Sequence, residues 1–291
     1  MTTSEEFGPR GRPVYGPTEP SSVKTVRRSA PLSSNEIDEV VAVIGRGRRS
    51  GTPQVLPDEL KTSDWSSILA VMLHLDAVVG WKGAGWKVGA ASEEIRRAEG
   101  LASPIPGRLY ERSVVPSGAT LGDVFINYRN CECEFAFEMG TTLEPRPKPY
   151  DEMEVVAAVS GLVPSIEVGD SVFRDWYDAS SYYGICLDNG GGGALVRGAL
   201  VRDFQALDLA DARVDLLVNG VPVKTGYGRE AMGTPLTSLT WMVNWLRVRG
   251  RALHRGELVS TGTCTGHCFV VPGDVVTADF GRFGLVTATF E

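Results

Sequence analysis

The spacing of apolar residues changes from helical to strand-like at Gly85, and this change limits the architectures open to the chain. Upstream, Ser33 and Glu36 have the spacing of a capping box, and the apolar residues of Ile37–Ile44 recur at helical intervals. Downstream, apolar and polar residues alternate, as in Trp86–Ala90. We therefore expect an α+β fold, in which a short helical N-terminal region precedes a strand-rich, mixed β body.

The glycine content supports many tight turns between short strands. The 291 residues include 34 glycines, where about 20 would be average for a chain of this length, and 17 prolines add further turn positions. The clearest turn is Asn219-Gly220, which separates the apolar runs Val214–Val218 and Val221–Lys224. An Asn-Gly pair in this setting predicts a type I′ β-hairpin.

Five further segments have patterns that predict regular structure. A helix is expected to open at Asp64, and helical spacing also covers Glu152–Val163 and Leu236–Val248. A strand is expected at Ser165–Val168, and the chain closes with a predicted hairpin over Val275–Phe290.

These patterns divide the chain into three parts. Residues 1–32 are rich in proline, glycine and basic residues without apolar periodicity, which predicts a flexible arm. Residues 33–84 form the expected helical N-terminal region, and residues 85–291 form the expected catalytic domain.

Charge and composition exclude several classes of partner. The formal net charge is −7, so that the surface repels phosphate backbones and we expect no nucleic acid partner. The longest apolar candidate, Ile68–Trp81, is shorter than the roughly 18 residues that a membrane span requires, and the N-terminus lacks the apolar core of a secretory signal. Five scattered cysteines favour buried thiols in a reducing, cytoplasmic setting.

Three familiar site motifs are incomplete. Gly45–Gly51 is glycine-rich but follows a helical pattern instead of a strand, which favours a helix C-terminus with a basic flexible turn over a dinucleotide loop. Gly190–Gly193 lacks the lysine and hydroxyl residue of a phosphate loop and is interpreted as a closely packed or substrate-facing turn. A serine-hydrolase elbow, Gly-x-Ser-x-Gly, does not occur.

A pair of glutamates in an apolar strand pattern is the remaining chemical signal. Glu132 and Glu134 are two residues apart, so that both carboxylates are expected on one face, about 7 Å apart along the strand. Like charges so placed require a cation or protons, and Mg²⁺ suits an all-carboxylate set. Glu167, in another apolar strand, is the natural third ligand. The alternative is a solvated strand face with two exposed glutamates.

Several motifs occur in the order and spacing of one family. They are Gly85-Trp86-Lys87-Val88-Gly89, the glutamate pair, Ser165 to Asp175, Asp188-Asn189-Gly190, Gly233-Thr234-Pro235-Leu236, Thr261-Gly262-Thr263 and Pro272-Gly273-Asp274. Together they resemble the fumarylacetoacetate hydrolase superfamily, in its 2-oxopent-4-enoate hydratase and 4-oxalocrotonate decarboxylase branch. The resemblance extends from Ser33 to Glu291.

The resemblance implies a metal site and a substrate class. It assigns Mg²⁺ or Mn²⁺ to Glu132, Glu134 and Glu167, where the metal would chelate the carboxylate and 2-oxo group of a 2-oxo acid and stabilise its enolate as a Lewis acid. A small-molecule 2-oxo acid is therefore the expected partner, and the family implies a homo-oligomer.

The same resemblance implies roles for four other residues. Lys87 matches the active-site lysine, a candidate proton donor or carboxylate clamp, although an isolated strand lysine can also point to solvent. Asp188 and Asn189 match a loop near the metal that can contribute hydrogen bonds. Thr263 matches a position that helps to hold the substrate carboxylate.

Five positions depart from the branch. Asn130 and Val172 replace a common lysine and arginine, and Tyr177 replaces a common lysine, which indicates a substrate with less negative charge than a dicarboxylate. Ser103–Gly107 lacks the aspartate that the hydratases often carry, since Ile105 stands in that turn. His267 stands where a small residue is usual, either as a replacement acid/base or as a packed strand histidine.

We therefore expect a metal-dependent lyase, a hydratase or decarboxylase, acting on a 2-oxo or 2-hydroxydienoate-type acid. The enzymatic alternatives are hydrolysis of a C–C bond and enol–keto isomerisation or cyclisation in a specialised pathway. The departures at Asn130 and Ile105 also leave open a catalytically altered member that serves as a binding protein.

Overall fold

The computed structural model describes residues 7–8, 12–13, 28–99, 101–122, 125–174 and 182–291. Most of the predicted flexible arm, residues 1–32, therefore lies outside the described residues, as does Tyr177.

The described part of the chain forms six α-helices and fifteen β-strands. The helices are α1 Ser34–Ser50, α2 Trp65–Val79, α3 Glu93–Glu99, α4 Glu152–Ala157, α5 Tyr182–Leu187 and α6 Pro235–Arg247. The strands are β1 Phe7–Gly8, β2 Arg12–Pro13, β3 Gly83–Gly89, β4 Ile105–Tyr110, β5 Val114–Pro116, β6 Ala119–Leu121, β7 Asn130–Met139, β8 Val159–Gly169, β9 Gly192–Arg197, β10 Arg213–Val218, β11 Val221–Tyr227, β12 Leu258–Thr263, β13 Cys268–Phe269, β14 Val275–Asp279 and β15 Leu285–Phe290.

Two mixed sheets form the β body. The larger sheet has the order β4-β3-β12-β7-β8-β9-β5, with β13 paired to β7, and the smaller has the order β11-β10-β14-β15-β6. Parallel pairs, such as β12 with β3, occur beside antiparallel pairs, such as β7 with β8. The predicted α+β class with a strand-rich mixed body and N-terminal helices is confirmed.

The central strands of the larger sheet separate an apolar face from a polar one. Trp86 on β3 packs near Trp245 of α6, and Phe135 on β7 contacts Phe280 beside the smaller sheet, with ring centroids 6.1 and 5.1 Å apart. Because successive strand residues point to opposite faces, their neighbours Lys87 and Glu134 point to the other face. This polar face holds the candidate site.

Local signals placed most element ends correctly. Ser33 caps α1 in a capping box with Glu36, and Asp64 caps α2 by accepting from the backbone N–H of Ser67. Asn219 and Gly220 both have positive φ, 52° and 76°, as a type I′ turn requires.

The predicted helix over Glu152–Val163 is wrong in its second half. The helix ends at Ala157, and β8 begins at Val159. Strand β8 pairs on both sides, with β7 and β9, and is buried over most of its length. Such a strand is a continuous apolar run, which periodicity cannot distinguish from a buried helix.

The glycine-rich segment Gly45–Gly51 is the expected helix C-terminus, but it is not the expected flexible turn. It continues α1 to Ser50, and Gly51 ends the helix in the left-handed conformation with φ of 64°. A Cβ at Gly47 would lie 2.9 Å from the Cβ of Val172, so this glycine lets α1 approach the body closely.

No helix among the described residues is long and apolar enough to span a bilayer.

Candidate metal and catalytic site

Three glutamates lie together on the polar face of the larger sheet. Glu132 and Glu134 alternate along β7 with the buried Cys131 and Cys133, and Glu132 pairs directly with Glu167 of β8. Glu134 is 1% exposed and Glu167 is 5% exposed. The expectation of one shared face is therefore met, and a solvated strand face with exposed glutamates is excluded.

Glu134 is the carboxylate that the fold encloses most completely. Its Oε2 accepts from the Ser260 hydroxyl at 2.6 Å and from the Gly262 backbone N–H at 2.9 Å, both contributed by β12. Burial and the negative charges of Glu167 and Glu132 nevertheless raise its pKa well above the usual range, despite these two hydrogen bonds. The cluster thus carries more negative charge than the protein itself compensates.

Lys87 is the buried cation of the cluster. Its Nζ lies 2.7 Å from Glu167 Oε1 and donates to the Gly190 carbonyl at 2.5 Å. The lysine is 4% exposed, so it does not point to solvent. Burial opposes its charge, but Glu167 raises the pKa of Lys87 above its usual value. A Cβ at Gly107 would lie 2.8 Å from the lysine stem, so glycine leaves the space that this side chain occupies.

His267 and Asn130 flank Glu132 at the more open end of the cluster. His267 Nδ1 lies 2.6 Å from Glu132 Oε1, and Asn130 donates to the same oxygen at 2.7 Å. The Asn130 amide is oriented by Cys268, whose backbone N–H donates to Oδ1. The charge of Glu132 raises the pKa of His267. Burial would raise the pKa of Glu132, but His267 and Lys87 lower it.

The histidine is not a packed core residue. Its side chain is 48% exposed, so solvent or a small molecule can reach the ring. Because Nδ1 also lies 2.6 Å from the Asn130 amide nitrogen, it can either donate to Glu132 or accept from Asn130, but not both.

Asp188 and Asn189 are engaged in holding their own loop. Asp188 accepts from the Ser171 hydroxyl and the Val172 backbone N–H, and it pairs with Arg48 at 3.1 Å. The side-chain oxygen of Asn189 accepts from the Arg108 backbone N–H at 2.6 Å, and its amide nitrogen donates to the Arg108 carbonyl at 2.8 Å. Their predicted contact with substrate stays a prediction, and these bonds point to positioning of the loop.

Thr263 lies opposite Glu134 in the pairing of β12 with β7. Its hydroxyl accepts from the backbone N–H groups of Thr265 and Gly266, at 3.3 and 2.9 Å. The hydroxyl therefore shapes the turn that leads to His267, and its predicted role toward a substrate carboxylate stays a prediction.

The donor chemistry fits a divalent cation. The three carboxylates supply only hard oxygen ligands, as Mg²⁺ and Mn²⁺ prefer, and the contact between Glu134 and Glu167 requires a proton or a cation to offset their repulsion. Among the described residues, no three His, Cys, Asp or Glu side chains are already gathered as ligands. Glu132 and Glu167 are instead turned toward His267 and Lys87.

Two contributions to the site had no local signal in the sequence. Gly107 and Ser260 lie far along the chain from the residues that they serve, and strand pairing alone brings them there. Arg48, within the glycine-rich segment of α1, reaches Asp188 across 140 residues of chain. Long-range register and helix docking fix these contacts, and a pattern of single residues does not encode them.

Comparison with known proteins places the chain among named relatives. Residues 109–291 match the model of the fumarylacetoacetate hydrolase C-terminal family. The chain is 26% identical over 265 residues to a 2-keto-4-pentenoate hydratase of Paraburkholderia xenovorans, covering 89% of this chain and 97% of the relative. It is 30% identical over 213 residues to a 4-oxalocrotonate decarboxylase of Pseudomonas putida, covering 72% and 78%.

A solved structure shares the fold over nearly the whole chain. It is 4-oxalocrotonate decarboxylase from Pseudomonas putida G7, complexed with magnesium and adipate. The TM-score is 0.81 at 23% identity, covering 91% of this chain and 100% of the other. The named relatives are hydratases and decarboxylases, and their similarity extends over most of this chain. The prediction of a lyase-type enzyme is therefore confirmed.

Proposed function

Because the chain belongs to the fumarylacetoacetate hydrolase family, we propose that it is a divalent-metal-dependent hydratase or decarboxylase of a 2-oxo or 2-hydroxydienoate-type acid. The observation that carries this proposal is the charge of the site: three buried or half-buried carboxylates lie around one buried lysine. Such a cluster is stable when a further cation joins it, and an anionic substrate requires the same cation.

Glu132, Glu134 and Glu167 are the residues that would hold Mg²⁺ or Mn²⁺. When bound there, the ion supplies Lewis-acid polarisation of the 2-oxo acid. The magnesium in the solved decarboxylase supports this assignment by likeness of fold. Ser260 and Gly262 keep Glu134 oriented, whereas Glu132 and Glu167 are held by His267 and Lys87.

Lys87 is the proposed proton donor. Hydration adds water across a C=C bond and delivers a proton to carbon, and decarboxylation replaces the departing CO₂ with a proton. Both reactions therefore need a positioned acid. Among the described residues, Glu167 and the Gly190 carbonyl take two of the three N–H groups of Lys87, and we assign the third to a substrate on the polar face.

His267 is the proposed second acid/base. Glu132 holds its Nδ1, and the side chain as a whole is half exposed. A residue so placed can exchange a proton between the site and solvent.

The assay that tests this proposal uses the two substrates named for the relatives. Purified protein is incubated with MgCl₂ and either 2-keto-4-pentenoate or 4-oxalocrotonate, and loss of substrate and release of CO₂ are followed. We expect turnover of at least one, abolished by EDTA and restored by Mg²⁺.

A matched pair of variants controls for the loss of one negative charge from strand β7. Glu134→Gln should lose turnover, whereas Glu138→Gln should keep it, because Glu138 lies four residues along the same strand and pairs with Arg197 instead. Metal binding without turnover of either acid would favour the isomerase, hydrolase or binding-protein alternatives. A homo-oligomer and a cytoplasmic location remain predictions.

A further inference from the structure

Arg48 joins the N-terminal helical region to the loop that carries Asp188 and Asn189. Its side chain is 10% exposed, although it lies in a segment whose composition suggested a flexible turn. One guanidinium nitrogen, Nη2, donates to Asp188 Oδ1 at 3.1 Å and to the Gly192 carbonyl at 3.2 Å. A single side chain thus bridges the first and last residues of the 188–192 loop.

The loop has a backbone conformation that most residues adopt only at a cost. Asn189, Gly190 and Gly191 are consecutive residues in the left-handed region, with φ of 58°, 64° and 70°. A non-glycine residue in this region costs about 1–2 kcal/mol, and such conformations persist where the surroundings hold them. Asn189 holds the loop through the Arg108 backbone, and Ser171 and Val172 hold Asp188. Arg48 joins the two ends of the loop.

The middle of the loop contacts the proposed catalytic lysine. The Gly190 carbonyl, which lies between the two ends that Arg48 bridges, accepts from Lys87 Nζ at 2.5 Å. If this acceptor moved, Lys87 would keep Glu167 as its one partner among the described residues and would turn toward the carboxylates. The direction of the Lys87 amine therefore depends on the position of this loop.

We propose that Arg48 is a positioning residue for Lys87 and acts through Asp188 and the 188–192 loop. The inference rests on the proposed function of Lys87 as proton donor. It assigns helix α1 a part in the reaction, although this helix lies outside the residues that the family model matches.

The kinetic test compares two arginines of the same helix. Arg46 is exposed and Arg48 is not, so that Arg46→Ala is a control for loss of one positive charge. With 2-keto-4-pentenoate and Mg²⁺, we expect Arg48→Ala to lower kcat by about tenfold to a hundredfold, as misplacement of a catalytic group by about 1 Å does. KM should stay within about threefold, because the proposed action of Arg48 passes through the 188–192 loop, and Arg46→Ala should change neither constant.

A second readout does not depend on catalysis. The Asp188 N–H donates to the Gly184 carbonyl and the Gly191 N–H donates to the Asp188 carbonyl, so hydrogen exchange of peptides over residues 184–193 reports whether the loop is held. Arg48→Ala should accelerate this exchange, whereas Arg46→Ala should not. This measurement stands even if the protein turns over neither acid, which separates failure of the inference from failure of the proposed function.

Chemical rescue distinguishes positioning from a general loss of packing. The Arg48 side chain lines a cavity of about 330 Å³, together with Trp81 and Tyr110, so a guanidinium ion can enter when the side chain is removed. Added guanidinium, below denaturing concentration, should restore part of the kcat of Arg48→Ala and should not affect Arg46→Ala.

If Arg48→Ala does not fold, Arg48→Lys and Asp188→Asn replace it. Lysine keeps the charge but cannot match the geometry of the guanidinium toward two acceptors. Asparagine removes the nearer of two carboxylates that Arg48 pairs with, since Asp188 lies at 3.1 Å and Asp170 at 4.0 Å. Each should lower kcat with KM preserved, and the double variant should lose little more than the worse single variant, because both act on one bridge. Unchanged kcat in folded Arg48 variants, or unchanged exchange over residues 184–193, would overturn the inference.

Discussion

Charge balance governs the site at the scale of single residues. Lys87 and His267 each contact one glutamate, whereas the groups that donate hydrogen bonds to Glu134 in the described part of the chain are neutral and belong to β12. Leaving a buried carboxylate without a counter-charge is costly, and its pKa rises accordingly. The residue that most needs a cation is therefore Glu134, at the closed end of the cluster.

Removal of the lysine should separate catalysis from metal binding. Lys87→Met should lower turnover at least a hundredfold, the usual contribution of a positioned general acid. It should also destabilise the protein in EDTA, because Glu167 loses its ion-pair partner, and Mg²⁺ should restore part of that stability. The measurements are the rate with 2-keto-4-pentenoate and the melting temperature with and without Mg²⁺.

Lys82→Met is the matched control, since Lys82 is 78% exposed and pairs with a surface glutamate. Surface pairs of this kind contribute little. Retention of full activity by Lys87→Met would remove this lysine from the mechanism.

The sequence was sufficient to predict that the carboxylates share a face, but not which residues contact them. The Glu-x-Glu spacing was sufficient to place Glu132 and Glu134 on one face, because strand geometry fixes that relation locally. The supporting contacts of Ser260 and Arg48 depend on which elements pack together. That information lies in long-range packing and not in the spacing of neighbouring residues.

At the scale of elements, the end of β12 closes the site. Gly262 has φ of 102°, and a Cβ there would lie 2.4 Å from the Cβ of Ala91. The unusual backbone turns its N–H toward Glu134 Oε2. The backbone conformation of Gly262 therefore helps to orient Glu134, a proposed metal ligand.

Gly262→Ala should lower both stability and metal affinity. The strained backbone and the close contact should together cost about 1–3 kcal/mol or more, and the displaced N–H should weaken Mg²⁺ binding. Gly266→Ala is the control: Gly266 also has positive φ, but a Cβ there meets nothing within 4 Å. Denaturant unfolding and Mg²⁺ titration measure the two effects. Equal behaviour of the two variants would show that the contact at Gly262 does not matter.

The start of α1 should give a pH-dependent contribution to stability. Hydrogen bonds from Arg28 and Ser33 lower the pKa of Glu36 to about 2. A carboxyl group with a depressed pKa stabilises the folded state above its unfolded pKa, near 4.5, and this stabilisation disappears as the pH falls toward 2.

The stability difference between the native protein and Glu36→Gln should therefore be larger at pH 6 than at pH 3. Thermal unfolding at low salt measures it, since salt weakens the attraction within this partly exposed pair. The exposed Glu39 provides the control variant Glu39→Gln, which should show no such dependence. A difference for Glu36→Gln that is constant across this range would contradict the assigned role of the capping box.

Elements with strong local signals were predictable, and buried central strands were not. The caps of α1 and α2 and the Asn219-Gly220 turn follow from the chemistry of one to four residues. The boundary between α4 and β8 does not, because a strand with neighbours on both sides needs no polar face. The pairing of β8 in the sheet decided its conformation.

For the whole molecule, the site is where three parts of the chain meet. The central strands of the larger sheet provide the carboxylates and Lys87, the turn after β12 provides His267, and helix α1 provides Arg48. Their assembly places three carboxylates on one polar face, with Glu132 turned toward His267 and Glu167 toward Lys87. We propose that this face holds a divalent cation.

Calorimetric titration of the purified chain with Mg²⁺, after treatment with EDTA, tests that claim most directly. We predict one site per chain, lost in Glu134→Gln and in Glu167→Gln and kept in Glu138→Gln, with the folded state stabilised by about 2.7 kcal/mol at a hundredfold excess of free ion over Kd. Absence of binding to the native chain, or equal binding by Glu134→Gln and Glu138→Gln, would contradict the assignment of these carboxylates as a metal site.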